Sequence, residues 1–219
     1  MDRSRPKILT PLQRKVLDAL FAEEPFAQSF YLTGGTALAA WYLFHRYSDD
    51  LDFFTNDQSL EPVWPVVRRL LPGLGLSVES RAPRFIRLRH PDGLRVDVVS
   101  DVPFRLGIPV RKGSWVIDSL GNITLNKVSA IQGRLDVKDY VDLYLLLKGH
   151  PKRILTWLAQ AKQKDASIEP FLWSRVIGDV ETFRVLPRMV IPLELPELVA
   201  FYRSLRRLIL ASLKPSAGS

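Results

Sequence analysis

The sequence predicts an α+β fold, with a mixed sheet flanked by helices in its first half and helices alone in its second. Short apolar runs bounded by Gly, Pro and Asp indicate strands within the first hundred residues. Two of these runs, residues 84–89 and 94–99, flank the turn sequence Pro91-Asp92-Gly93 and predict a β-hairpin. From about residue 118 onward, apolar residues recur at helical spacing instead.

The predicted domains follow this change of pattern. Residues 1–117 are predicted to form the sheet-containing core, and residues 118–219 a helical C-terminal domain whose tail, about 215–219, is disordered. The first helix after the predicted strand at 50–54 is expected to stop at Pro72-Gly73, because proline interrupts a helix. Helices are predicted over residues 10–23, 37–44, 63–71, 123–133, 135–148, 151–162, 169–177 and 196–213.

The composition is typical of a globular protein and limits its class. The 219 residues are 47% hydrophobic and 25% charged, enough for one two-lobed domain or two small ones. No run of about 18 apolar residues predicts a membrane helix, and the N-terminus lacks an apolar signal core. The sequence has no cysteine, which excludes disulfides and thiolate zinc sites and favours a cytoplasmic location. The three histidines lack metal-ligand spacing.

The net charge of +8 is concentrated towards the C-terminus. Residues 1–149 hold 20 basic and 17 acidic side chains, whereas residues 150–219 hold 11 and 6. A basic surface attracts polyanions such as nucleic acid. Charge alone leaves that interpretation and a merely solubilising role equally open.

The segment from Tyr31 to Thr55 is the most informative part of the chain. It predicts a strand, a tight turn at Gly34-Gly35-Thr36, a helix, and a second strand that begins at Asp50. Because side chains alternate along a strand, Asp50 and Asp52 should lie on one face. Two carboxylates placed after a strand–glycine–helix turn indicate a site for a metal and a phosphate; the alternative is a structural turn beside an acidic strand edge.

The residue types of this segment suit that chemistry. Glycine lets the backbone approach a phosphate closely, and the amides of a helix N-terminus attract an anion. Thr36 adds a hydroxyl donor, and aspartate oxygens are the ligands that Mg²⁺ prefers.

Asp97 is a lone acid in the predicted second arm of the hairpin. A buried carboxylate is unfavourable unless it is paired or binds a metal. Asp97 is therefore either an acid on an edge strand or, beside Asp50 and Asp52, a third carboxylate of one site.

A second group of charged residues lies on the predicted helices near residue 130. Lys127 and Arg134 are seven residues apart and share a helix face, and so do Asp139 and Asp142, which are three apart. These spacings are also typical of solvated helix charges with a local Lys138–Asp142 pair.

The stretch GGTALAAWYLFHRYSDDLDFF resembles the DNA polymerase β-like nucleotidyltransferases and, within them, the AbiEii/AbiGii toxin-type enzymes. The resemblance implies a polymerase β-like core and transfer of a nucleoside monophosphate from an NTP to an acceptor, with Mg²⁺ or Mn²⁺. In the toxin branch the implied acceptor is RNA, with tRNA as the expected class, and the implied partner is an antitoxin from a neighbouring gene. The positions that match the family motif imply that Asp50, Asp52 and Asp97 bind the metal. They also imply that Gly34, Gly35 and Thr36 bind the nucleotide.

The sequence motif Lys-x-x-Ala…Arg…Lys-Asp-x-x-Asp-Leu extends the resemblance to the second group of charged residues. It implies that Lys127 contacts the nucleotide phosphates and that Asp139 lines the same cleft, whereas Asp142 could be structural. The alternatives are a nucleotidyltransferase that modifies a small molecule or a protein, and a non-catalytic member that only binds nucleotide.

Overall fold

The computed structural model describes residues 6–213, which fall into two compact units, Met1–Ile123 and Thr124–Ser219. The disordered tail predicted at 215–219 lies outside the described residues. Each unit has its own buried apolar core.

The first unit is built on a mixed sheet, as predicted. Within residues 6–213 the sheet has seven strands in the order β3-β4-β5-β2-β1-β7-β6. The pairs β2/β5 and β1/β7 are parallel, and the other neighbours are antiparallel. The strands are β1 Tyr31–Thr33, β2 Asp50–Thr55, β3 Ser77–Ala82, β4 Phe85–Arg89, β5 Arg95–Ser100, β6 Val110–Lys112 and β7 Trp115–Ile117.

Strands β2 and β5 lie at the centre of this sheet, and the alternation of apolar and polar side chains along them explains this position. Leu51 and Phe53 of β2 and Val96 and Val98 of β5 are fully buried on one face. The residues between them point to the other face, because successive side chains of a strand alternate. Apolar burial on one face thus fixes the register, since a slip by one residue would expose the whole apolar set.

Helices of the first unit cover the apolar face. Thr10 caps the first of them through a capping box with Gln13, and the Gln13 Nε2 donates to the carbonyl oxygen of Ser48 at 2.8 Å. That hydrogen bond fixes the loop leading into β2. The helices are α1 Pro11–Phe21, α2 Glu24–Ser29, α3 Gly34–Ala37, which continues as a π-helix over Leu38–Leu43, and α4 Trp64–Leu74.

Two helix boundaries and one additional helix in this unit differ from the sequence prediction. Helix α3 begins at Gly34 instead of residue 37, because Gly34 adopts a φ of +69° and turns the chain from β1 directly into the helix. Helix α4 continues past Pro72 and ends at Gly75, whose left-handed conformation caps the last turn. Helix α2 was not predicted, since its six residues are too few to show a period.

The second unit is helical, as predicted. Tyr202 Oη donates to the carbonyl oxygen of Tyr140 at 2.8 Å, and Trp173 Nε1 donates to that of Val128 at 3.0 Å. These buried polar tips are therefore satisfied within an apolar core. The helices are α5 Leu120–Gly133, which begins in the first unit, α6 Val137–Leu147, α7 Ile154–Lys164, α8 Pro170–Val176 and α9 Leu195–Ser212, with 3₁₀ turns at Pro151–Arg153 and Ile177–Thr182. No helix within residues 6–213 has the length and apolar character needed to cross a membrane.

Candidate active site

Three carboxylates lie on one face of the central sheet. Strands β2 and β5 run parallel, and their register sets Asp52 directly beside Asp97. Asp50 lies two residues before Asp52 and therefore shares its face. The side chain of Asp97 is more buried than that of Asp50, with 9% of its surface exposed against 24%. Strand parity predicted this common face, and the register places all three residues on it.

Gly34 approaches Asp52 more closely than any other residue type could. A Cβ atom added to Gly34 would lie 2.2 Å from Asp52 Oδ2 and 3.1 Å from Asp52 Cγ. The same glycine has a left-handed φ, which other L-residues rarely adopt. The turn after β1 is thus built against the Asp52 carboxylate, since Thr33 of β1 is the register partner of Asp52 in β2.

The next two residues of the turn tie it to neighbouring segments. Thr36 Oγ1 donates its hydrogen bond to the backbone carbonyl of Asp50. A Cβ atom on Gly35 would lie 2.4 Å from a terminal nitrogen of Arg46, which is itself buried. The nucleotide contacts predicted for Gly34, Gly35 and Thr36 stay predictions; for Thr36, a phosphate contact would replace the hydrogen bond to Asp50.

Two arginines that the sequence analysis did not select face the carboxylates. Arg87 of β4 makes two parallel hydrogen bonds to Asp97, from Nε to Oδ1 and from a terminal nitrogen to Oδ2, both at 2.8 Å. Arg95 of β5 reaches Asp50 Oδ2 at 2.6 Å, and its Nε lies 3.6 Å from Asp97 Oδ2. The bonds to Asp97 raise the pKa of Arg87. The alternation of side chains along β5 places Arg95 on the face of Asp97, and the register of the hairpin pairs Arg87 with Asp97, so both signals were available in the sequence.

The chemistry of the donor set fits a hard divalent cation. Asp50, Asp52 and Asp97 offer only carboxylate oxygens, which is what Mg²⁺ and Mn²⁺ prefer, and the missing Cβ of Gly34 keeps the backbone clear of Asp52 Oδ2. Among residues 6–213, however, no three acidic or histidine side chains converge on a common point. The guanidinium groups of Arg87 and Arg95 face the oxygens of Asp97 and Asp50.

The second group of charged residues forms a buried cluster within the helical unit. Lys127 Nζ lies 2.7 Å from Asp139 Oδ1 and 2.6 Å from Asp142 Oδ2, and Arg134 Nε lies 2.7 Å from Asp139 Oδ2. Burial by itself raises the pKa of Asp139, but the Lys127 charge and the bonds from Arg134 outweigh it and hold the pKa below its usual range. The predicted contact of Lys127 with phosphate stays a prediction, as does the role of Asp139.

Asp118 anchors the strand that precedes the glycine turn. This fully buried carboxylate accepts hydrogen bonds from Thr33 Oγ1 at 2.7 Å, Asn122 Nδ2 at 2.8 Å and Arg105 at 2.7 Å. Burial raises its pKa, and these three partners oppose the rise. The network fixes the end of β1 and therefore positions Gly34, the residue that follows Thr33.

A shallow, open depression of about 550 Å³ lies on α9. Arg203, Arg206 and Arg207 line it together with Leu210. Arg203 Nε bonds to Glu181 at 2.8 Å, and Arg207 bonds to Ser204, so these two side chains are held in place by neighbours in the same unit.

Comparison with known proteins agrees with this geometry. Residues 15–105 match the model of the family described as nucleotidyl transferase AbiEii toxin, type IV TA system. The fold is similar to a candidate nucleotidyltransferase from H. pylori, with 19% identity, a TM-score of 0.55, and coverage of 94% of this chain and 96% of that one. It is also similar to JHP933 from Helicobacter pylori, with 20% identity, a TM-score of 0.55, and coverage of 92% and 90%. None of the curated proteins compared with the chain matches it.

These similarities confirm two predictions. The solved structures show the fold, a polymerase β-like nucleotidyltransferase core followed by helices. The family match covers the glycine turn and all three aspartates of the sheet. The predicted resemblance to the AbiEii nucleotidyltransferases is thus confirmed over residues 15–105.

Proposed function

We propose that this nucleotidyltransferase transfers a nucleoside monophosphate from an NTP to RNA, with tRNA as the expected class, in a reaction that requires Mg²⁺ or Mn²⁺. An acceptor hydroxyl oxygen forms a bond to the α-phosphorus. The bond between the α-phosphorus and the oxygen that bridges it to the β-phosphate breaks, and pyrophosphate leaves. The observation that carries the proposal is the β2/β5 register, which sets Asp52 beside Asp97 with Asp50 on the same face.

Each residue of the site has a role in this proposal. Asp50, Asp52 and Asp97 would hold the cation, which when bound supplies charge stabilisation to the phosphates and makes the acceptor hydroxyl easier to deprotonate. The first turn of α3 offers backbone amides, and Gly34 leaves room for a phosphate to approach them. Phosphoryl chemistry of this kind depends mostly on positioning and charge, and these residues supply both.

The distribution of positive charge supports RNA as the acceptor. Residues 150–219 hold 11 basic and 6 acidic side chains, and three of the arginines border the depression on α9. Arginine suits backbone phosphates because its planar guanidinium donates two parallel hydrogen bonds. A phosphate-binding surface on the helical unit would hold RNA by its backbone and make binding depend steeply on salt.

Labelling with two forms of NTP tests the reaction. With Mg²⁺ and total cellular RNA, NTP labelled at the α-phosphate should label RNA, whereas NTP labelled at the γ-phosphate should not, because the γ-phosphate leaves with pyrophosphate. Asp52→Asn should abolish the α-label, while RNA binding persists. Label from the γ-phosphate would identify a kinase instead, and label on a small hydroxylated compound or on protein alone would replace RNA as the acceptor.

Removal of the α9 arginines tests the acceptor surface. A variant with alanine at Arg203, Arg206 and Arg207 should lose RNA labelling while it still binds NTP. A control variant loses the same charge from exposed side chains of the first unit, with alanine at Arg68, Arg111 and Lys112. Equal loss in both variants would mean that total charge, and not the α9 surface, governs the acceptor.

The family description also supports a toxin that is controlled by an antitoxin from a neighbouring gene. Expression of the protein alone should then arrest growth, and Asp52→Asn should relieve the arrest. A non-catalytic nucleotide-binding protein is the alternative, and it predicts NTP binding with neither α-label transfer nor growth arrest.

A further inference from the structure

Arg87 and Arg95 lie against the carboxylates because of the sheet register. In the β4/β5 pair Arg87 is the direct partner of Asp97, and in the β2/β5 pair Arg95 is the direct partner of Asp50. Directly opposed residues on neighbouring strands have adjacent side chains on the same face. The two guanidiniums therefore meet two of the three carboxylates wherever this sheet forms.

The contact between Arg87 and Asp97 engages both carboxylate oxygens. Two parallel bonds of 2.8 Å join Nε to Oδ1 and a terminal nitrogen to Oδ2. Such bidentate pairs are the strongest form of an arginine–carboxylate contact. Arg95 adds a bond of 2.6 Å to Asp50 Oδ2, and its Nε lies 3.6 Å from Asp97 Oδ2. A divalent cation and these guanidiniums would compete for the same oxygens.

Both arginine side chains are partly exposed to solvent. The side chain of Arg87 is 32% exposed and that of Arg95 is 31% exposed, although the Nε atom of Arg95 is itself buried. The Arg95–Asp50 pair is partly exposed on both sides, and such pairs contribute little to stability, whereas the bidentate Arg87–Asp97 pair is the stronger of the two. An exchange of guanidinium for a metal ion is thus compatible with the folded sheet.

We propose that Arg87 and Arg95 are resident counterions of the active site, which neutralise Asp97 and Asp50 in the metal-free protein and must turn away when a divalent cation binds. The inference rests on the proposed metal-dependent function. It predicts that the arginines weaken the affinity for the cation, whereas a structural role in orienting Asp97 predicts that they strengthen it.

Titration with Mn²⁺ alone, followed by electron paramagnetic resonance of the free ion, tests the inference on the full chain without any activity measurement. Arg87→Gln and Arg95→Gln should each bind Mn²⁺ at least fivefold more tightly than the wild-type protein. The matched control is Arg89→Gln, because Arg89 lies on the same strand face and pairs with Glu79 at 2.8 Å instead of with a site carboxylate. That variant should change the affinity less than twofold.

Several outcomes overturn the inference. Unchanged or weaker Mn²⁺ binding in both site variants would show that the arginines do not compete, and an equal gain in Arg89→Gln would reduce the effect to net charge. If Arg87→Gln fails to fold, as judged by circular dichroism, Arg87→Lys keeps the charge but loses the bidentate geometry and should still tighten binding.

Failure of the proposed function is distinguishable from failure of the inference. Wild-type binding that Asp52→Asn abolishes, without a gain in the arginine variants, removes the inference alone. Mn²⁺ binding that Asp52→Asn leaves intact in every background removes the metal site, and the inference with it.

Discussion

The substitution Gly34→Ala tests whether catalysis requires the close approach of the glycine turn to Asp52. The new Cβ atom would lie 2.2 Å from Asp52 Oδ2, whereas ordinary van der Waals contact begins at 3.4 Å. The carboxylate oxygen must therefore move by more than about 1 Å, and misplacement on that scale costs roughly 100-fold in rate. We expect Gly34→Ala to lower nucleotidyl transfer at least about 100-fold, equivalent to about 2.7 kcal/mol in the activation barrier.

The matched control is Gly113→Ala, in the turn between β6 and β7. Gly113 has a φ of +65°, close to the +69° of Gly34, but no atom lies within 4 Å of its added Cβ. Both variants carry the same strain of a left-handed alanine, about 1–2 kcal/mol. A smaller gain of about 0.4–1 kcal/mol from the stiffer unfolded chain offsets part of that strain in each.

The comparison uses two assays. Urea unfolding should show a net loss of about 1 kcal/mol in Gly113→Ala and a loss at least as large in Gly34→Ala. Transfer of α-labelled nucleotide should fall only in Gly34→Ala. If the two variants transfer nucleotide at rates within threefold of each other, the close approach of the turn to Asp52 is unimportant for catalysis.

Two further predictions concern stability. Asp139→Asn should destabilise the protein by about 1.5–3 kcal/mol at pH 7, because the buried Lys127 keeps its pair with Asp142 but loses a charge-assisted hydrogen bond to Asp139. Because the pKa of Asp139 is lowered in the folded protein, its charge stabilises the fold at any pH above the unfolded pKa of about 3.9. That stability is lost as the pH falls through the folded pKa. Urea unfolding should therefore show a smaller difference in stability between variant and wild type near pH 3 than at pH 7. Thr36→Val should cost about 1–3 kcal/mol, since the Asp50 carbonyl loses its donor, and Thr36→Ser should cost only about 1 kcal/mol in the same assay; equal losses would show that the hydroxyl contributes nothing.

The parts of the fold that sequence could predict depend on local patterns. The hairpin of β4 and β5 follows from two alternating runs around Pro91-Asp92-Gly93, and α9 follows from a long apolar face. The π-helix at Leu38–Leu43 and the passage of α4 through Pro72 do not, because they depend on how the helix ends are capped and packed. Phe44, with a φ of 52°, ends the π-helix in a conformation that its residue type does not indicate.

The candidate site shows the same division. Parity along single strands indicated that Asp50 and Asp52 share a face, and the family resemblance added Asp97. Neither indicated Arg87, whose relation to Asp97 depends on the pairing of two strands and not on spacing within one. The Lys127 contacts with Asp139 and Asp142 likewise join two helices, so helical spacing alone could not separate this buried cluster from solvated charges.

Carboxylates in both units are balanced by cations from other elements, and this affects how their roles can be tested. Removal of one member of a buried charge cluster destabilises the fold whatever the cluster does in catalysis, because the remaining charges lose a partner. A loss of activity in Asp139→Asn alone would therefore not assign Asp139 to the reaction, because its side chain is only 1% exposed. The sheet carboxylates differ, since Asp50 and its partner Arg95 are both partly exposed and their pair is worth about 1 kcal/mol or less. For Asp50, loss of metal binding without loss of stability identifies function directly, whereas the helical cluster needs a variant that exchanges both charges together.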